Sequence, residues 1–386
     1  MKVTKISIYK YERPFRFKFH NTQTLRTSAE SIIVRLEFNN GISGYGESTP
    51  MSYITGEDSS TVVQVLQNCF SPILLSREMD TIDHIESLLD ELENECLSQN
   101  ILQYNSALGA VDIALLDALG EYQQIPLTNF LGSIVREKAP YSISVPFLPL
   151  EKIEELFYQL PQLKIKYVKI LVGEDERENI QRVRLVRSLF GDNVDIRVEN
   201  NGMWTFPQAI SNLEKIQKYN IAAVEQPIVK DDIKGLQRLK KAIEIPIVVD
   251  ESMCSLSDAK HLIEQEACDI LNIKISKCGG LLRSKQIAKF ALSHNIQCQM
   301  GAHVGETEIL RAAGESFALT TPNLIYFEGA SFLLFKDIWR DDQFEITKKD
   351  AISQFGLGIE SAQLESVMGY CVPVVELTHN SRNRAM

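Results

Sequence analysis

A chain of 386 residues, 44% hydrophobic and 24% charged, is long enough for one barrel of about 250 residues plus a smaller domain, with the composition of an ordinary globular protein. A formal charge of −11 and the lack of any long basic block argue against nucleic-acid or membrane-surface binding. Seven cysteines, an odd number with no C-x-x-C pair, suggest neither a disulfide framework nor a zinc cluster and read as reduced and mostly buried. The N-terminus alternates like a strand and lacks the apolar core of a signal peptide. No run approaches the length of a membrane span, so the protein reads as cytoplasmic.

Two alternating segments, Val3–Tyr9 and Ser31–Phe38, open the chain, and Asn39-Asn40-Gly41 offers a turn into a third strand, ISGYGESTP, that ends in a Gly-rich loop. Helical spacing follows in Ser59–Cys69, Thr81–Gln99 and, most strongly, Asn105–Tyr122. Strands followed by helices predict an α+β domain over residues 1–135. Gln124-Ile125-Pro126-Leu127 and Phe130-Leu131-Gly132 then punctuate the crossing into a second domain, residues 136–335. Its first strand is Tyr141–Pro146, where Ser142 or Ser144 either faces a substrate or is a satisfied interior hydroxyl. Its second is Tyr167–Leu171.

The next four apolar runs each close on a polar residue that a buried strand has no packing reason to carry. They end in Glu199, Glu225, Asp250 and Lys274, at separations of 26, 25 and 24 residues. One strand, a loop, a helix and a second loop consume about 25 residues, so the period predicts a parallel barrel that delivers these groups to one rim. An acidic residue after a single strand is commonly no more than a helix N-cap. Three in phase, followed by a lysine in phase, are better explained by a shared hard cation, since converging carboxylates otherwise repel one another. Oxygen donors with room for water and substrate suit Mg²⁺, with Mn²⁺ as a substitute.

A helix (Arg283–Ser293), a strand (Ile296–Met300) and a rim segment, Gly301–Glu306, come next. His303 in that segment reads either as a structural hydrogen-bonding residue or as a proton-transfer group. The eighth strand, Leu324–Phe327, ends in Glu328, which the same period turns toward the mouth. Residues 336–386 are expected to return to the first domain, and the polar tail NSRNRAM to be disordered.

The motifs Glu199-Asn200-Asn201, Glu225-Gln226-Pro227, Asp250-Glu251 and Lys274-Ile275-Ser276-Lys277-Cys278-Gly279-Gly280 resemble, across nearly the whole chain, the enolase superfamily and within it the muconate lactonizing enzyme subgroup. The resemblance implies a TIM-type (β/α)7β barrel with an N-terminal α+β capping domain, whose loops Phe15–Arg26 and Glu47–Glu57 close over the mouth. It implies Glu199, Glu225 and Asp250 as Mg²⁺ ligands, Lys274 as a base or enolate-stabilising cation, Lys169 as the candidate on the opposite face, and Asn201 and Glu251 as auxiliary groups. The partner it implies is a small-molecule carboxylate, and a homo-oligomer is expected.

Two departures stand out. The family's Lys-x-Lys-x-Gly appears as Lys169-Ile170-Leu171-Val172-Gly173. Anchored on Gly173, it puts leucine where the second lysine, the usual acid/base, belongs. Anchored on Lys169 as the second lysine, it makes Tyr167 the partner and needs an insertion. Glu199 stands where the family carries Asp. Members that act on dipeptides carry Asp-x-Asp where this chain has Glu328-Gly329-Ala330. The reading is Mg²⁺-dependent removal of a proton α to a carboxylate by a muconate cycloisomerase-like isomerase or lyase. An o-succinylbenzoate synthase-like dehydratase and a non-catalytic carboxylate-binding member are the alternatives.

Overall fold

The apolar alternation of the N-terminus builds a long hairpin from β1 (Val3–His20) and β2 (Leu25–Phe38). This computed structural model describes residues 1–20, 24–157, 164–330, 334–335 and 344–378. Phe19 pairs with Arg26 and His20 with Leu25, so the expected loop Phe15–Arg26 is mostly the outer end of that hairpin. Its residues 21–23, like the tail from Asn380, lie outside the described residues. β3 (Ser43–Ser48) pairs with β2, while β14 (Cys371–Thr378) pairs antiparallel with β1, giving a sheet in the order β14-β1-β2-β3.

Gly44 and Gly46 lie inside β3 rather than in a loop after it, and the reason is steric. A Cβ on Gly46 would sit 1.8 Å from the carbonyl oxygen of Ala110, and one on Gly44 2.0 Å from that of Ala114, because the helix Asn105–Gln123 lies directly on the strand. Only glycine permits that approach. The helix is buried continuously from Ser106 to Gly120, which an amphipathic surface helix never is. Its Asp117 carboxylate accepts from the backbone N–H groups of Tyr45 (2.8 Å) and Leu357 (2.9 Å), and Asp112 accepts from that of Leu281. One helix thus joins the capping sheet, the C-terminal segment and the barrel.

The crossing is made by β4 (Lys138–Pro140), paired antiparallel with β13 (Glu345–Thr347). Between them runs an eight-stranded parallel sheet: β5 (Ser142–Val145), β6 (Tyr167–Leu171), β7 (Asp195–Glu199), β8 (Ile221–Glu225), β9 (Ile247–Val249), β10 (Ile270–Ile273), β11 (Gln297–Met300) and β12 (Leu324–Phe327). Each pairs with the next in chain order, and a helix lies between every successive pair, which is the TIM-type (β/α)7β arrangement. Contacts across the curl bring its ends together: the Tyr167 and Tyr326 rings lie 5.5 Å apart, and Lys169 reaches Glu328 at 2.9 Å.

Register sets the height of each functional group. Leu171 pairs with Glu199 and Glu199 with Glu225, so these three stand in one row at the strand ends. Glu225 pairs with Val248, which sets Asp250 two residues further out, beyond the end of β9.

Candidate active site

Glu199, Asp250 and Glu251 are the described residues whose carboxylate oxygens lie close enough to share an ion, all within 4.8 Å of one another. Glu225, expected from its phase to complete this group, is turned elsewhere. Its buried carboxylate accepts from Asn272 (2.8 Å) and Gln299 (3.0 Å) and lies 3.3 Å from Lys169. The physical reason is local. Asn272 and Gln299 are polar residues within the buried strands β10 and β11, and they claim the Glu225 oxygens from the barrel interior. Glu251, expected only as an auxiliary group, takes the place beside Asp250. The Asn201 side chain, on a residue with left-handed backbone (φ 53°), donates to Glu199 (2.6 Å) and Glu251 (3.3 Å), bridging two of the three acids.

Three lysines balance these acids. Lys274 Nζ lies 2.6 Å from Asp250 Oδ2, and Lys277 Nζ lies 2.8 Å from Asp250 Oδ1 while also donating to the carbonyls of Asp250 and Asn272. Burial opposes the charged form of Asp250, but the two lysines outweigh it and hold the carboxyl well below the usual range. Lys169 Nζ is within 2.9 Å of Glu199 and of Glu328. Burial again works against its charge, yet Glu199, Glu225 and Glu328 prevail and raise its pKa. Glu328 in turn sits 3.2 Å from the buried Arg197, and these cations outweigh its burial and lower its pKa.

Glu251 is compensated less well, by Lys274 and by the long hydrogen bond from Asn201. Burial first, and Asp250 second, push it up to about 8. Its Oε2 is buried without a hydrogen-bond partner, a costly state for a carboxylate.

A small cavity of about 60 Å³ opens among these groups, lined by Lys169, Lys274, Glu199, Asn201 and Glu328 on its polar side. Phe19, Met51, Tyr53, Val304 and Leu171 form the apolar side. Lys169 and Leu171, two apart on one strand, both line it, while Tyr167 lies deeper against Tyr326. Ser142 does not line the cavity and Ser144 does. Both share a face of β5, but Ser144 is one layer nearer the mouth, and register rather than residue type decides between them.

The segment Glu47–Glu57 is fastened to the barrel. The Glu47 carboxylate accepts from the N–H groups of Thr307 (3.0 Å) and Leu310 (3.1 Å) at the start of the helix Glu308–Thr320. Thr49 N–H donates to Ser276 Oγ (3.0 Å), and the Thr49 carbonyl pairs with His303 Nδ1 at 2.7 Å. Met51 and Tyr53 are thereby held against the cavity. Arg197, Asn272, Gln299 and Lys277 were not among the expected site residues. Their signal was present all the same: polar groups at alternate positions inside apolar strands, and a second lysine one helical turn after Lys274.

An eight-stranded parallel barrel with acids and lysines at its strand ends, covered by an antiparallel sheet, defines a class of enzyme. Residues 153–364 match the model described as "Enolase C-terminal domain-like", and residues 3–132 match "Mandelate racemase / muconate lactonizing enzyme, N-terminal domain". The chain belongs to this mandelate racemase and muconate lactonizing enzyme family of the enolase superfamily. It is 27% identical to the N-succinyl-L-Arg/Lys racemase of Bacillus cereus over 93% of this chain and 95% of that one. The crystal structure of the Bacillus cereus racemase superimposes with a TM-score of 0.87, covering 97% of this chain and 100% of that one. A dipeptide epimerase of Cytophaga hutchinsonii, complexed with Mg and D-Ala-L-Val, has TM-score 0.85 at 25% identity, covering 97% of this chain and 99% of that one. A 2-chloromuconate cycloisomerase of Rhodococcus opacus, at 23% identity and TM-score 0.85 over 95% of this chain and 99% of that one, shares the fold. Among the described residues no helix is long and apolar enough to cross a membrane.

Proposed function

We propose that the protein removes a proton α to a carboxylate with the help of a divalent cation, Mg²⁺ by preference, working from one face of the substrate. The donor set fits such an ion: three carboxylates in one cluster, one of them with a buried orphan oxygen and a raised pKa, supply hard oxygen ligands that lack only the charge to hold them together. Glu199, Asp250 and Glu251 would hold it, with Asn201 orienting two of them and Glu225 supporting the cluster from below. When bound, the ion supplies electrostatic stabilisation to the substrate carboxylate as negative charge develops on it.

Lys274 is the group placed to move the proton. Burial opposes its charge, but Asp250 first, then Glu225, Glu199 and Glu251, keep it protonated. A cation held by Asp250, Glu199 and Glu251 would neutralise three of these four partners, and Lys274 would then become a more competent base.

The observation that carries the one-face reading is Leu171. It presents an apolar side chain where a second proton-transfer group would have to stand, and Lys169 lies two residues deeper, roughly 6–7 Å back along the strand. Lys169 is also bound to three acids and is a poor base. Racemisation, which needs an acid/base on each side, is therefore disfavoured against a cycloisomerase or syn-dehydratase, even though racemases and epimerases are among the relatives. The experiment is α-proton exchange in D₂O with Mg²⁺ across a panel of chiral carboxylates. Exchange with retention of configuration is expected, lost in Lys274→Ala. Racemisation as fast as exchange refutes the one-face reading, and no exchange on any member favours a non-catalytic carboxylate-binding protein, to which Leu171 also points.

A further inference from the structure

Beside the carboxylate cluster a further buried polar atom lacks a partner. His303 is 4% exposed and borders the cavity beside Lys274, yet its Nε2 has no hydrogen-bond partner. Everything else about the residue is fixed. Its Nδ1 lies 2.7 Å from the Thr49 carbonyl, which can only accept, so Nδ1 carries the hydrogen. Thr49 is itself anchored through its N–H to Ser276 Oγ, and the His303 backbone N–H donates to Glu306 at 2.6 Å. Burial, with the positive charges of Lys274 and Lys277 nearby, keeps the ring neutral. The charged and titratable groups that act on it are thus Lys274, Lys277 and Asp250 beneath it and Glu306 on its own loop, and none of these partners Nε2.

A neutral imidazole whose Nδ1 is committed to a carbonyl offers one thing at Nε2: a lone pair that accepts. We propose that His303 is a specificity-determining residue of the site, a preoriented hydrogen-bond acceptor that selects carboxylates bearing an N–H or O–H donor on the substituent next to the reacting carbon. The inference rests on the carboxylate-binding reading above. β10 and β11 are neighbours, so His303 and Lys274 approach a bound molecule from the same side of the barrel. A ligand without the donor leaves Nε2 buried and unpaired, as it is now. A ligand with an ether or ester oxygen at that point sets lone pair against lone pair.

The test uses near-isosteric pairs that differ in the donor: N-acetylalanine against O-acetyl-lactate, and lactate against 2-fluoropropanoate, titrated by calorimetry into the full-length protein with Mg²⁺. Wild type is expected to prefer at least one donor-bearing member by roughly 10- to 100-fold, the discrimination that an unpaired buried acceptor produces. The first pair reads an N–H and the second an O–H, so the preferred pair names the donor. His303→Leu should bring the ratio close to one by weakening the donor-bearing ligand only, and His303→Gln, which retains an accepting oxygen, should restore part of it. Equal binding of both members of each pair by wild type, an unchanged ratio in His303→Leu, or no binding of any probe overturns the proposal. Binding is read without turnover, so a protein that discriminates but never exchanges an α-proton refutes the catalytic reading and leaves this one standing. If His303→Gln binds with full discrimination but loses exchange where wild type exchanges, His303 moves the proton itself and its role as an acceptor alone is wrong.

Discussion

The raised carboxyl of Glu251 couples stability, pH and metal in a way that can be measured. In the unfolded chain the group ionises near 4.5, and in the folded protein burial and Asp250 delay ionisation to about 8. Between these values the folded state binds more protons than the unfolded one, so stability falls as pH rises through the interval and levels off above it. At 1.36 kcal/mol per pH unit the loss is of order 5 kcal/mol. Glu251→Gln cannot ionise and removes that loss, so without metal the variant should melt several degrees above wild type at a pH of about 8 and close to it in acid. Mg²⁺ should reverse the order. It raises the melting temperature of wild type, increasingly so as pH rises toward 8, with release of a proton on binding, because the ion replaces the proton that Glu251 retains. Scanning calorimetry with and without chelator, together with titration in two buffers of different ionisation enthalpy, reads both effects. A metal-free Glu251→Gln less stable than wild type at that pH, or Mg²⁺ binding with no proton release, refutes the assignment of Glu251 to the ion.

Removing the buried cation in Lys169→Met strands Glu199, Glu225 and Glu328 together and should cost about 3–5 kcal/mol. Glu225, already pushed up to about 7 by burial, then rises further, so the variant's deficit should widen as pH increases through neutrality. A melting temperature unchanged across that range counts against the network. Leu171→Lys places an amine on the cavity wall opposite Lys274, and a correctly folded variant should begin to racemise the same chiral carboxylate that wild type exchanges with retention. Exchange that stays confined to one face in this variant would show that Leu171 is not what limits the reaction.

The barrel and its rim were legible because both rest on period. Strand ends recur every 24 to 26 residues, and a parallel sheet turns that recurrence into a ring, so Glu199, Glu225, Asp250, Lys274 and Glu328 could be assigned to one end of the molecule from spacing alone. Period does not say which way a side chain leans once it arrives. Glu225 and Glu199 stand side by side in register, yet one meets Asn272 and Gln299 from below while the other meets Asn201 and the acids beyond β9. Ser142 was separated from Ser144 by the same kind of detail. The capping domain hid its geometry in two glycines: Gly44 and Gly46 read as a loop because the helix that requires them lies 60 residues away in sequence. The hairpin of β1 and β2 outran its expected length: β1 goes on alternating at Phe15, Phe17 and Phe19, but Pro14 and a register shift between Pro14 and Phe19 break the pattern, and the facing residues 25–28 are mostly polar.

Charge at the rim argues for what the site awaits. Among the described residues, Lys169, Arg197, Lys274 and Lys277 stand in one network with Glu199, Glu225, Asp250, Glu251 and Glu328, four cations against five acids. A buried network with one negative charge in excess is unstable at neutral pH, and the excess appears where compensation is weakest, as the proton that Glu251 keeps up to about 8. Exchanging that proton for a divalent cation would leave the network one positive charge in excess while Lys274 stays protonated, and either a substrate carboxylate or loss of the Lys274 proton offsets it. An apolar or cationic ligand cannot do so. The same count explains why Leu171 is tolerated beside so much charge: a lysine there would make the loaded, substrate-bound network positive again unless it gave up its proton, which is the condition under which a second base would work.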